Sequence, residues 1–326
     1  MSTRDMPLIS HLAGWDEELR LALEDLQLDR WLAAKQLLRK TGTNWSLRTS
    51  RSQALAVGAA RNQAIEAWCT EEPDDRDALM MWARVLTQRV LNTHRDGVSG
   101  RQLIRVVHAA HAACKTAADR WPADPVPYVC FLALAQTDTD RQSPHNWMNW
   151  VRPRDVMLPP GPWQLLDWVN QRDLHNREAY HRMLSVFHAR GKGGLDFAQW
   201  VVSFAPEGSA LKVLPLYAYV ESYRKQLEQR QTAGTIAYWS NEITAHYARR
   251  ALHDWFEKAK PDTCSLLDLN YLAYALTATG VGNAAGVFEE IGSYVTTAPW
   301  ALVTPNSSWW EDDFRSARRK ALGGRR

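Results

Sequence analysis

The side chains with the greatest chemical reach in this chain are a few acid–imidazole pairs. Glu178 and His181 stand three apart, a spacing that sets carboxylate and imidazole on one helical face, as the half-site of a di-iron bundle requires. Glu242 with His246, and His108 with His111, are the pairs that could complete such a centre. They define one alternative reading, an all-helical metal-dependent enzyme built on Glu178, His181, Glu242 and His246. His175 pairs poorly with His181, because a six-residue step turns two rings about 120° apart on an ideal helix. The chain carries no Gly-x-Ser-x-Gly elbow, no phosphate loop and no glycine fingerprint following a strand. No catalytic residue, resident metal or cofactor is assigned from these residues, and the expectation leans away from an enzyme.

Two further groups bear on charged ligands. Gly191-Lys192-Gly193-Gly194 could hold an anion at the helix that follows, or could simply turn the chain. Arg315, Arg318, Arg319, Lys320, Arg325 and Arg326 make the C-terminal stretch basic, beside Glu311, Asp312 and Asp313. A nucleic-acid-linked regulator is therefore a second alternative, although a net charge of only +3 argues against nucleic acid as the main partner. Cys69, Cys114, Cys130 and Cys264 show no Cys-x-x-Cys spacing, so neither a zinc knuckle nor a redox dithiol is indicated. The segment from Met1 to His11 lacks the apolar run of a signal peptide, and no stretch is long and apolar enough for a bilayer. A cytoplasmic protein without a membrane partner is expected.

The elements that must position these residues are helices. Apolar residues recur at three- and four-residue spacings over Glu17 to Leu26, Arg30 to Leu38, Asp75 to Leu91 and Ser99 to Trp121, where Leu103, Val107, Ala110 and Cys114 form one stripe. Asp29 is expected to cap the second of these, and Pro122, Pro125 and Pro127 to end the last. Helices are expected again over Trp163 to Val169, Asn176 to Ala189, Leu195 to Phe204, Ser209 to Gln229, Ile236 to Lys258, Ser265 to Thr277 and Ala284 to Tyr294. Between 138 and 162 the period fails and five prolines intervene, which predicts a long loop. No alternating stretch predicts a strand, so the class is all-α. The expected division is an N-terminal half over 1–137, the Pro/Trp-rich loop over 138–162 and a C-terminal half over 163–326, in one continuous solenoid.

Helix pairs in succession suggest a repeat. Leu269 to Leu276, Gly280 in a turn, then Ala284, Phe288 and Ile291, then Pro299, resemble a tetratricopeptide repeat, in which a small residue and an aromatic four later close the gap between neighbouring pairs. A second resemblance spans Lys35 to Trp45, Arg120 to Pro125, Asn176 to Leu184 and Phe204 to Ser209. In that order these segments resemble a family of actinobacterial helical-repeat proteins, tetratricopeptide-like and of about this length. The resemblance implies a fold and no reaction. Gly191 to Gly194 departs from the Trp-x-Gly-Ser type of turn found in such proteins.

The expected architecture is thus a tetratricopeptide-like, right-handed α-solenoid, and the expected function is capture of a protein or peptide on its concave face. Trp163, Trp168, Arg172, Asp173, Arg177, Glu178 and His181 are the expected lining. Sixteen tryptophans give a second pointer. Trp31, Trp68, Trp82, Trp200, Trp239 and Trp255 fall on apolar positions and read as core. Trp147, Trp150, Trp163, Trp168, Trp309 and Trp310 fall in or near loops, or side by side, where they either form a binding surface or fold back onto the helices.

Overall fold

The computed structural model describes residues 7–142, 146–153, 155–229, 238–260, 264–304 and 306–323. Among them are sixteen α-helices and no β-strand, only two isolated bridges. The residues fall into two compact units, Trp15–Gly194 and Met1–Gly14 with Leu195–Arg326. The segment 138–162 lies inside the first unit.

The first unit holds α1 (Glu17–Gln27), α2 (Leu32–Thr41), α3 (Trp45–Ala59), α4 (Ala64–Glu71), α5 (Arg76–Arg95), α6 (Gly100–Arg120), α7 (Val126–Ala135), α8 (Trp163–Asn170) and α9 (Arg177–Ala189). Their starts are set locally. Asp16, Asn44, Asp75 and Asn176 each accept a first-turn backbone N–H of α1, α3, α5 and α9, satisfying donors that the helix itself leaves open. Asp29 does something else: it takes a left-handed φ of 57° and accepts the Gln63 N–H at 3.0 Å, at the entry to α4. α2 begins at Leu32 with no side-chain cap, its N-cap position being held by Trp31, whose indole has no acceptor.

Packing follows a regular order. α1 lies against α3, α3 against α5, α5 against α7 and α7 against α9, while α2, α6 and α8 pack on α1, α5 and α7. The α6 stripe of Leu103, Val107, Ala110, Cys114 and Ala117 is buried against this row, and its small residues permit close approach to α5. α7 sits between neighbours and is buried at almost every position, which is why its sequence is apolar all round.

The second unit contains α10 (Gly194–Phe204), α11 (Leu214–Glu228), α12 (Glu242–Arg250), α13 (Leu266–Thr279), α14 (Ala285–Ile291), α15 (Trp300–Val303) and α16 (Trp310–Gly323). A π-helical turn, Ala251–Phe256, continues α12. Gly280 ends α13 in the left-handed region, where a side chain would be strained. Phe288, Trp300 and Phe314 then form a three-ring cluster with centroids 5.3–6.4 Å apart. The N-terminal segment joins this unit through Ile9, which exchanges backbone hydrogen bonds with Ser293 and Val295 at 2.9 Å.

The tryptophans sort by burial. Trp68, Trp239 and Trp255 are buried as core, whereas Trp82 and Trp200 are half-buried and Trp31 lies stacked on Trp68 at 5.5 Å. In the loop-centred set Trp163 is buried, Trp150, Trp168 and Trp310 are half-buried, and Trp147 and Trp309 are 70% and 61% exposed.

Arg190, at the end of α9, organises much of 138–162. Its guanidinium donates to the carbonyls of Asp138, Asn149 and Pro160 at 3.0–3.2 Å and lies 3.6 Å from the Trp150 ring. Burial lowers its pKa to about 10, so it stays a cation at neutral pH. Trp163 Nε1 donates to Pro159 O, and Gly161 N to Val151 O, closing the segment further. Gly193 abuts it, for a Cβ there would meet Pro159 at 2.4 Å. Replacing Arg190 with leucine strands three carbonyls at once. A loss of about 2 kcal/mol is expected in urea unfolding, with new protease cleavage inside 138–162. Lysine should recover little of it, lacking the planar fork.

Candidate functional site

Of the seven residues expected to line a binding face, most are turned to holding helices together. Trp163 opens α8 and is packed on Phe187 with a centroid distance of 6.0 Å. Arg172 follows α8 and spans three acceptors: Pro122 O at 2.6 Å, Trp168 O at 2.6 Å and the Tyr128 hydroxyl at 2.8 Å. Its guanidinium also lies 3.7 Å from the Tyr128 ring, against which Trp168 packs edge-on. Asp173 accepts from Asn176 Nδ2 at 2.6 Å; burial pushes its carboxyl above the usual range, against that hydrogen bond. The turn passes through His175 at φ 63° before Asn176 starts α9. Arg177 and His181 are half-buried on α9.

Glu178 lies in the interior. Arg84 of α5 grips both of its oxygens, at 2.7 and 2.6 Å, and Arg182 donates to the first at 3.0 Å. Burial alone would raise the Glu178 pKa, but the two guanidiniums hold it below the ordinary value. Arg84 reaches further, to Ser52 Oγ at 3.2 Å and Thr49 O at 3.1 Å on α3. A second buried arginine, Arg48 of α3, bonds Asp77 at 2.6 Å and Asp124 at 2.8 Å. Asp124 also accepts the Val126 N–H at 2.9 Å, where α7 begins. Burial pushes its carboxyl up despite Arg48. Two ionic clusters therefore stitch α3, α5, the entry to α7 and α9 together.

That arrangement decides what Glu178 can do. Both Glu178 oxygens are engaged by guanidiniums in charge-assisted hydrogen bonds, so a metal ion or a substrate proton would have to compete with two buried cations for them. Glu242, on α12, is paired with Arg249, and His246 stands edge-on to Tyr247 at 5.2 Å. Among the described residues no group of three His, Cys, Asp or Glu converges in a way that could hold a metal ion. Cys114 and Cys130 are buried free thiols, the Cys114 Sγ lies 3.8 Å from Thr87 Oγ1, and burial raises the Cys114 pKa. Gly191 and Gly193 both adopt left-handed φ, as an interhelical turn requires. In α16, Arg318 donates to Gly292 O at 2.6 Å and Arg315 pairs with Glu311 at 3.4 Å; Arg325 and Arg326 lie outside the described residues.

The residues missed at the sequence level are Arg48, Arg84, Arg190 and Asn149. The two interior arginines did leave a signal. Met80, Arg84, Thr87 and Leu91 share one helical stripe, as do Arg48, Ser52, Leu55 and Ala59, so each charge interrupts an otherwise buried face. No protein-family model, no curated protein and no solved structure matches this chain.

Proposed function

We propose that the chain is a binding scaffold, a tetratricopeptide-like right-handed α-solenoid that captures a protein or peptide partner. The observation carrying this reading is the order in which α1, α3, α5, α7 and α9 pack, each on the next odd-numbered helix, with α2, α6 and α8 flanking them. Stacked helix pairs of this kind present one face whose residues vary without disturbing the core. The warrant is analogy at the level of fold. The resemblance of Leu269 to Pro299 to a tetratricopeptide repeat supports it, since Phe288 in that stretch is buried and Ala284, four residues before it, is half-buried. Membership of the actinobacterial helical-repeat family belongs to the same proposal.

Trp168, Arg172, Asp173, Arg177 and His181 retain exposed surface and are assigned to partner contact, with Trp163 and Glu178 as positioning residues beneath them. A reducing, cytoplasmic setting fits four free cysteines. Among the described residues no helix is long and apolar enough to cross a membrane. The test is crosslinking in the native host followed by recovery of the bound partner. Arg177→Ala combined with His181→Ala should reduce recovery about tenfold, the effect of losing one or two polar contacts, with recovery compared at equal amounts of folded protein. Undiminished recovery would remove this face from the proposal. Stoichiometric iron or manganese in the purified protein would overturn the scaffold reading in favour of the metal enzyme.

A further inference from the structure

A groove of about 450 Å³ runs along the outside of the α5–α6 pair. Its floor is Leu79, Trp82 and Leu86, which lie about 140–160° round α5 from Arg84 and its ionic cluster and stay half-buried. The α6 wall is small: Ala109, Ala112 and Thr116 are exposed and Ala113 is buried. Residues 96–99 join the two helices into an antiparallel hairpin. Leu86 and Ala109, Trp82 and Ala113, and Leu79 and Thr116 are each equally far in sequence from the middle of that turn. The groove is therefore built of three rungs, each with a large α5 side chain opposite a small α6 residue. Successive rungs are about 5 Å apart along the axis and span about 10 Å in all. That is the pitch at which a second helix presents its residues i, i+3 or i+4, and i+7. The small wall lets the backbone of such a helix come close.

The charges round the groove are unequal. At the Leu79 end they are paired, Arg120 lying 3.6 Å from Asp74 and Lys115 2.7 Å from Asp119. Over the floor Arg89 stands 5.7 Å from the centre of the Trp82 ring and bonds Glu66 at 2.6 Å. In the turn itself Arg95 and Asp96 balance in sign. Arg101 and Arg105 are different. Both are exposed on α6 just past the Leu86 rung, and among the described residues neither is engaged by a carboxylate. Two uncompensated positive charges thus mark one end of an apolar channel. Charges at the rim of an interface set orientation and choice of partner more than affinity, which the apolar rungs supply.

We infer that this groove docks an amphipathic helix of a partner protein, with its apolar face on the three rungs and acidic residues one turn beyond them, over Arg101 and Arg105. The site uses none of the residues assigned above to partner contact and stands independently of them.

The experiment titrates the full chain with fluorescein-labelled, side-chain-stapled helices of about fifteen residues, read by anisotropy. The first carries leucines at i, i+4 and i+7 and two glutamates one turn beyond. The second has lysines for those glutamates, and the third has the composition of the first with its leucines spread round the helix. The first should bind, the second about tenfold more weakly, and the third not at all; the gap between the first two should close in about 1 M salt. Ala109→Gln with Ala112→Gln changes two exposed positions to a good helix former, so circular dichroism should be unchanged while binding of the first helix falls at least tenfold. Arg101→Gln with Arg105→Gln should bind the first and second helices alike. Arg177→Ala with His181→Ala should bind the first normally, which separates this site from the other face. Equal binding of the first and third helices would overturn the inference, as would a preference for lysines or undiminished binding by the Ala109 and Ala112 double variant. Absence of binding by all three helices would overturn it too. Vesicle sedimentation or self-association lost in that double variant would then give the groove to a lipid surface or to a second copy of the chain.

Discussion

Glu178→Ala is expected to cost about 3–5 kcal/mol in urea unfolding, the largest effect of any single change on α9, because it leaves Arg84 charged and unpaired in the interior. The wild-type pair is bidentate, buried and joins positions 94 residues apart. Arg84 does not escape by losing its proton, since a guanidinium stays charged in proteins, and the variant removes the carboxylate that in the wild type holds its pKa above the ordinary value against burial. Arg84→Met should be comparably destabilising, through the stranded carboxylate and the loss of the Ser52 and Thr49 contacts. The double variant Arg84→Met with Glu178→Leu should recover most of the loss, because the desolvation of both charges disappears together. Additive losses in the double variant would count against a paired origin. The pH dependence has a definite sign. Glu178 has a folded-state pKa below its unfolded one, so its stabilisation is present above the ordinary carboxylate range and is lost as pH falls through the depressed value. Glu178→Ala should therefore narrow its gap from the wild type in acid.

Arg48→Met is expected to cost a similar amount, about 3–5 kcal/mol, for the opposite reason: it leaves two buried carboxylates, Asp77 and Asp124, without their shared cation. Asp124 is the more exacting partner. Burial already raises its carboxyl pKa with Arg48 in place, so removing the guanidinium must raise it further. A raised carboxyl favours the folded state while protonated and destabilises it as pH climbs through the folded pKa. The Arg48→Met defect should thus be smallest at low pH and grow toward neutrality, which denaturant melts across that range would show. Asp124→Asn in the same background should relieve part of it, since an amide oxygen can still accept the Val126 N–H. A pH-independent defect would mean that lost packing on Trp121, 4.7 Å from the guanidinium, dominates instead.

Both predictions rest on residues that a reading of spacing passes over. Glu178 and His181 look like half of a metal site because three-residue spacing puts them on one face. The structure shows that a shared face does not imply a shared ligand, for the carboxylate points into two arginines while His181 remains half-buried. Asp29 makes the same point on a smaller scale. Its type and position suit an N-cap, yet its backbone lies in the left-handed region and its carboxylate serves the entry to the α4 helix, 34 residues on. The tryptophans divide along the same line. Those at apolar-period positions are buried or half-buried, whereas the loop-centred ones range from Trp163 in the core to Trp147 in solvent.

What the amino-acid sequence determines by itself is local: the all-α class and the stripe of Leu103, Val107, Ala110 and Cys114. Each depends on interactions within a turn or two of the chain, where residue type and period suffice. The tertiary structure alone decides the rest. Arg48 meets Asp124 across 76 residues, Arg84 meets Glu178 across 94, and Arg190 gathers carbonyls from 30 to 52 residues away. A long charged side chain on an apolar stripe is compatible with many distant partners, and only packing selects one. The same packing leaves Asn149 Oδ1 without a donor, a consequence of three-dimensional geometry to which no spacing in the chain points.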